Sequence, residues 1–169
     1  LISKIFGSLL LIEALLMSCS LGVALYYGGS DVMPFTWSVV VLIAAGVAFR
    51  LLGLKASNAL SRRDAYFVVT TVWVLFTIFG MMPFLIGGYL HSVTDAFFET
   101  ISGFTTTGAT IIDYPERLPR GLLFWRSITQ WIGGLGIVFF TIAILPSFVG
   151  GSTRVFAAEA TGPIVTKLH

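Results

Sequence analysis

Residues Tyr66 to about Leu90 carry no charged side chain, and neither do residues Ser127 to about Gly151. Two further apolar stretches precede them. One runs from about Ile5 to Tyr27 and is interrupted only by Glu13; the other runs from about Pro34 to Phe49 and reaches Leu54 if Arg50 snorkels. A helix needs roughly 20 apolar residues to cross the hydrocarbon core of a bilayer. Three stretches meet that length and the second is marginal. The rest of the composition leaves no room for a soluble alternative. Of 169 residues only 11% are charged and 56% are apolar, whereas soluble domains run at about 25% charged. The expected fold class is an all-α integral membrane protein, with lipid as its first partner. The same figures exclude a disordered chain and a coiled coil. A net charge of +2 without a basic stripe argues against nucleic acid as a partner. Cys19 is the single cysteine, so neither an internal disulfide nor a cysteine-based metal site can form. Apolar sequence continues where a signal peptide would give way to a soluble domain, so that reading fails.

The basic residues set an orientation. Lys4 precedes the first span; Arg50, Lys55, Arg62 and Arg63 lie between the second and third; Arg154 and Lys167 follow the fourth. With four alternating helices these seven of the ten Lys and Arg residues share one side, which is expected to be cytoplasmic. Both ends of the chain then face the cytoplasm. Arg117, Arg120 and Arg126 fall on the other side among Asp113 and Glu116 and weaken the asymmetry without reversing it.

The stretch between the third and fourth spans is too short to cross. Its apolar part runs from Ala96 to Phe104. Ser92 or Thr94 can cap a helix start, and Asp95 suits the positive end of the helix dipole. Phe97, Phe98 and Ile101 form an apolar stripe at helical spacing, and Gly103 is expected to stop the helix. The run Thr105-Thr106-Thr107-Gly108-Ala109 follows and is expected to be extended. The flanking spans place both ends of the segment outside. It is either a re-entrant loop, which must be buried in protein or line a wet cavity, or an ordinary external loop with a surface helix. The first reading has a chemistry. Consecutive backbone carbonyls can replace the hydration shell of potassium, glycine permits the backbone angles that this requires, and a short helix ending at such a loop aims a partial negative charge at a cation.

The residues carry a further signal. Thr94-Asp95-Ala96-Phe97-Phe98-Glu99 followed by Ser102-Gly103-Phe104-Thr105-Thr106-Thr107-Gly108-Ala109-Thr110 closely resembles the first pore loop of the Trk/Ktr/HKT cation transporters. Gln130-Trp131-Ile132-Gly133-Gly134-Leu135-Gly136 resembles the start of the next helix in that superfamily, and Ala157-Ala158-Glu159-Ala160-Thr161-Gly162-Pro163 the segment after it. The resemblance covers about Tyr66 to Pro163. Residues 1–61 add two leading spans, as in the TrkH-like branch, and residues 62–169 would hold one helix–pore loop–helix unit (about 66–90, 94–110 and 121–151).

In that superfamily one chain carries four such units around a single pore. With one unit and a first residue Leu1 rather than Met, the chain is read as the N-terminal portion of a longer protein. The resemblance implies potassium as the transported ligand and no cofactor. Thr105, Thr106, Thr107, Gly108 and Ala109 would form this unit's share of the filter, and the intact Gly108 marks a potassium-type unit. It also implies a homodimer of full chains, a cytosolic nucleotide-binding TrkA-like regulatory subunit, and a bacterial inner membrane location. Asp95, Glu99 and Arg126 are expected to support the filter, with Arg126 either pairing with Glu99 or Asp95 or lying solvated at the interface.

Other features have plainer readings. Gly133, Gly134 and Gly136 are expected to let helices pack closely. Glu13, an acid inside a span, is expected to make a structural hydrogen bond or to snorkel. His91 is read as solvated, and Pro146 as a bend late in the fourth span. No catalytic constellation appears, so an enzyme is not expected. The rival readings are a small homotetrameric cation channel and a non-conducting membrane scaffold.

Overall fold

The computed structural model describes residues 1–53 and 62–138. Lys55, Pro146, Arg154, Lys167, the segment 157–163 and the latter part of the fourth span lie outside the described residues, as do the side chains of Arg62 and Arg63. The described residues are helical throughout their regular parts. The order is α1 (Ile2–Tyr27), α2 (Val32–Leu52), α3 (Arg62–Gly80), α4 (Met82–Ile86), α5 (Val93–Phe104), a 3-10 turn at Pro115–Arg117, and α6 (residues 120–138). Residues Leu1–Gly133 form one compact unit. Residues 134–138, which belong to a second unit, are helical.

Among the described residues three stretches, Ile2–Tyr27, Val32–Leu52 and Tyr66–Ile86, are long and apolar enough to cross a membrane. The marginal second stretch reaches 21 residues because Val32 and Met33 add to its start and Arg50 lies inside its last turn. α1 ends at Gly28, whose left-handed backbone (φ 60°) lets its N–H return to the carbonyls of the last turn. α1 and α2 then pack as a hairpin whose inner face buries Leu10, Met17, Phe35 and Leu42.

The third apolar stretch is not one helix. Pro83 has no N–H to give to the carbonyl four residues back, so the helix breaks at Met81 and restarts as α4. The break exposes the Gly80 carbonyl, which accepts a hydrogen bond from the buried Trp125 indole at 2.9 Å. This ties α3 to α6. Around it, the Phe104 ring meets Trp73, Phe76 and Trp125 at centroid distances of 5.6 to 6.5 Å. The last residue of α5 is thereby set in an aromatic cage.

A second long-range tie joins the leading hairpin to α6. Asp31, fully buried in the α1–α2 turn, accepts the Leu122 N–H at 3.0 Å through Oδ2. A carboxylate at the start of α6 satisfies a free backbone donor and faces the positive end of the helix dipole. Asp31→Ala in the full-length protein is expected to lower stability by about 1.5–3 kcal/mol, the worth of a hydrogen bond to a charged group. Asp31→Asn, which keeps an acceptor, should lose less. The thermal unfolding midpoint in detergent checks this, and equal midpoints for parent and Asp31→Ala would refute it.

Glu13 departs from expectation. It does not snorkel, since it is fully buried. Neither carboxyl oxygen has a hydrogen-bond partner among the described residues.

Candidate functional site: the loop after the short helix

α5 starts where the sequence places it. Ser92 is the N-cap and its hydroxyl accepts the Asp95 N–H at 3.4 Å. At 12 residues the helix is about 18 Å long, well short of a bilayer core. It ends differently from expectation. Gly103 is not the stop; it lies inside the helix, buried, where an added Cβ would run into the Thr129 side chain of α6. The stop is Thr106, whose φ of 58° is the described residues' single positive φ outside glycine. Thr105 and Thr106 therefore form a turn, not extended backbone. The Thr106 N–H returns to the Gly103 carbonyl, and the Thr107 N–H to the Ser102 carbonyl at 3.0 Å. Left-handed backbone is rare for a β-branched residue and costs energy, so the surrounding contacts hold it in place.

Those contacts are dense. The Thr105 hydroxyl bonds the Ile101 carbonyl and lies 2.8 Å from the Thr107 hydroxyl. Gly108 has φ 73°, so positive φ recurs at alternate residues, 106 and 108. The Ser102 hydroxyl donates to the Ala109 carbonyl at 2.6 Å, which turns that carbonyl back toward α5. Residues 105–110 are all exposed on the surface of the described unit.

The returning chain is anchored by one carboxylate. Glu99, buried on α5, accepts the Thr110 hydroxyl at 2.8 Å and the Ile111 N–H at 3.1 Å on Oε2. Its Oε1 pairs with Arg126 of α6, at 2.9 Å from Nε and 2.7 Å from Nη2. Arg126 also donates to the Thr110 hydroxyl at 3.3 Å. The pairing thus selects Glu99; Asp95 sits exposed in the first turn of α5. Between α5, the loop and α6 lies a cavity of about 10 Å³, bounded by Glu99, Thr100, Gly108, Arg126 and Gln130 among others. That is about the room one water needs.

α6 approaches the end of α5 closely. Gly133 lies against the Phe104 carbonyl so tightly that a Cβ there would overlap it. The glycine thus permits close packing, here against the backbone just before the threonine run. His91 is exposed. Sequence reasoning missed Ser102, Thr110, Asp31 and Trp125. For Ser102 and Thr110 the available signal was a hydroxyl on each side of the threonine run; for Asp31 and Trp125 their partners are 91 and 45 residues away, and no local pattern points to them. Among the described residues no group of histidine, cysteine or acidic side chains could hold a metal ion.

Comparison with known proteins gives one answer. The family model described as TrkH, cation transport protein, matches residues 32–168. The chain is 37% identical over 164 residues to the Trk system potassium uptake protein TrkH of Vibrio parahaemolyticus, covering 96% of this chain and 34% of that protein. It is 34% identical to TrkH of Escherichia coli K12, with the same coverage. The crystal structure of the potassium transporter TrkH from Vibrio parahaemolyticus superposes with a TM-score of 0.80 at 38% identity, covering 86% of this chain and 31% of that chain. The chain spans about a third of the length of the curated relatives it matches. Its fold is that of an all-α integral membrane protein, and the chain belongs to the TrkH cation transport family.

Proposed function

We propose that the full-length protein containing this chain moves potassium across the bacterial inner membrane through a pore lined by backbone carbonyls. In this reading residues 1–61 supply two leading helices and residues 62–169 the first of four pore units. The segment Thr105–Ala109 is that unit's share of the filter. The observation that carries the reading is the positive φ at both Thr106 and Gly108, directly after a helix too short to cross. Alternate positive φ turns successive peptide planes so that carbonyl oxygens can face one side, as ion coordination requires. The end of α5 adds the partial negative charge of its last carbonyls. Glu99 and Arg126 brace the returning strand, and Asp95 adds negative charge at the outer end of α5.

The names of the relatives, all potassium uptake proteins of Trk systems, support this substrate. The finer expectations stand on the family likeness: a homodimer of full chains, a cytosolic nucleotide-binding TrkA-like regulatory subunit, and both ends of this chain cytoplasmic. Transport here is permeation, with no bond chemistry.

The test is Gly108→Ser in the full-length protein. Among the described residues a Cβ at Gly108 meets nothing within 4 Å, so its effect is conformational rather than steric. A non-glycine residue held at φ 73° costs on the order of 1–3 kcal/mol, and about 1.4 kcal/mol is tenfold in relative ion preference. The preference for potassium over sodium in uptake or reversal potential is expected to fall by roughly tenfold at normal protein levels. Thr107→Val, which leaves the backbone unstrained, should be milder. Full potassium preference in Gly108→Ser would refute the filter assignment.

A further inference from the structure

Among the described residues, Glu13 and Thr100 are two of the buried polar side chains whose oxygens lack partners, and both lie against Gly80. The point where a Cβ on Gly80 would sit lies 3.3 Å from Glu13 Oε1 and 3.1 Å from Thr100 Cγ2. The Phe104 ring edge closes the same spot at 3.0 Å. Glu13 comes from α1, outside the pore unit. Thr100 comes from the middle of α5, one turn before Phe104. The site is sealed: Glu13 is 0% and Thr100 2% exposed. Among the described residues the other buried acids are engaged elsewhere, Asp31 at the start of α6 through Oδ2, with Oδ1 unpartnered, and Glu99 on Arg126.

An acid inside a span is expensive and marks a functional position by default. A buried carboxyl also needs hydrogen-bond partners. The Thr100 hydroxyl is also unpartnered among the described residues. It is the Thr100 methyl that borders Gly80, and one rotation about Cα–Cβ exchanges it for the hydroxyl. Threonine in helices populates two such rotamers.

We propose that Glu13 is a positioning residue for the filter: in the Thr100 rotamer that turns the hydroxyl toward Gly80, the Glu13 carboxyl hydrogen-bonds that hydroxyl and fixes the back of α5 against α1. The leading hairpin would then be part of the filter's support rather than a separate membrane anchor. This rests on the filter reading above. It goes beyond it by making ion selection depend on a residue that touches neither the loop nor the ion.

The experiment measures potassium against sodium uptake in the full-length protein at matched membrane levels, for Glu13→Leu, Glu13→Gln, Thr100→Val, Thr100→Ser and the Glu13→Leu/Thr100→Val double variant, beside Gly108→Ser. Glu13→Leu and Thr100→Val are each expected to lower the potassium preference by on the order of tenfold, and the double variant no further, because both remove one interaction. Glu13→Gln and Thr100→Ser, which keep hydrogen-bonding groups in place, should restore most of the preference. A merely structural role would lower protein level or stability without moving the ion ratio. Parental selectivity in Thr100→Val, or additive losses in the double variant, would overturn the proposal, even if Glu13→Leu fails to accumulate. Should Gly108→Ser alone lose selectivity, this inference falls and the filter reading stands. Should Gly108→Ser keep it, the filter reading itself falls.

Discussion

Glu99→Ala in the full-length protein is expected to abolish selective potassium uptake and to destabilise the pore loop. The Glu99 carboxylate takes four close contacts, two from Arg126 and one each from the Thr110 hydroxyl and the Ile111 N–H. Removing it strands a guanidinium whose side chain is only 23% exposed and frees the strand that returns from the threonine run. Breaking a buried ion pair from one side costs about 3–5 kcal/mol, and the partial exposure of Arg126 puts this case near the lower figure. About 3 kcal/mol exceeds a hundredfold in the population of the ordered loop. Glu99→Gln keeps the shape and an acceptor but loses the charge, so it should fall between. Arg126→Met should resemble Glu99→Ala, because it leaves the more deeply buried partner unpaired. Potassium and sodium uptake at matched membrane levels, with the thermal midpoint of purified protein, decides the matter. Parental values for Glu99→Ala in both measurements would mean that this network does not hold the loop.

Gly133→Ala is the second large effect expected. Most added methyl groups find room by rotating a neighbouring side chain. Here the neighbour is the Phe104 carbonyl, which is backbone at the end of α5 and cannot swing aside alone. Phe104 is also pinned by its cage of Trp73, Phe76 and Trp125. Overpacking typically costs about 1–3 kcal/mol and occasionally more, and a clash with backbone that a caged side chain holds in place belongs at about the top of that range. The consequence should reach function, because the displaced carbonyl is one residue before Thr105. Loss of folded protein, or folded protein with altered ion preference, is expected in membrane-level and uptake assays. Gly134→Ala is the matched control, since among the described residues a Cβ at that position meets nothing within 4 Å. Equal behaviour of the two variants would show that the close approach is not needed.

The two cases show how far the sequence reaches. The existence of the spans, the start of α5 at Ser92 and its shortness are local properties. They follow from runs of apolar side chains, a hydroxyl able to accept a free backbone N–H, and the length a helix needs to cross a bilayer. The same holds for the left-handed turn at Gly108, whose φ of 73° only glycine adopts without strain. The break of the third apolar stretch was also written locally, in Pro83, although the charge-free run reads as one span through Leu90.

What only the tertiary structure decided involves partners far apart in the chain. Asp95 and Glu99 lie one turn apart on the same helix, and sequence spacing cannot choose between them; the path of the chain across Thr110 and Ile111 does. Gly103 looks like a helix stop because glycine often is one, but the approach of Thr129 makes it a packing site and leaves the stop to Thr106. Nothing near Asp31 in the sequence names its partner, the Leu122 N–H 91 positions later. Glu13 reads as an acid that snorkels or makes a structural hydrogen bond, until packing against Gly80 holds it inside. A local pattern fixes the conformation a segment prefers, while burial, and therefore the worth of a charge or a hydroxyl, is set by whatever the rest of the chain brings beside it.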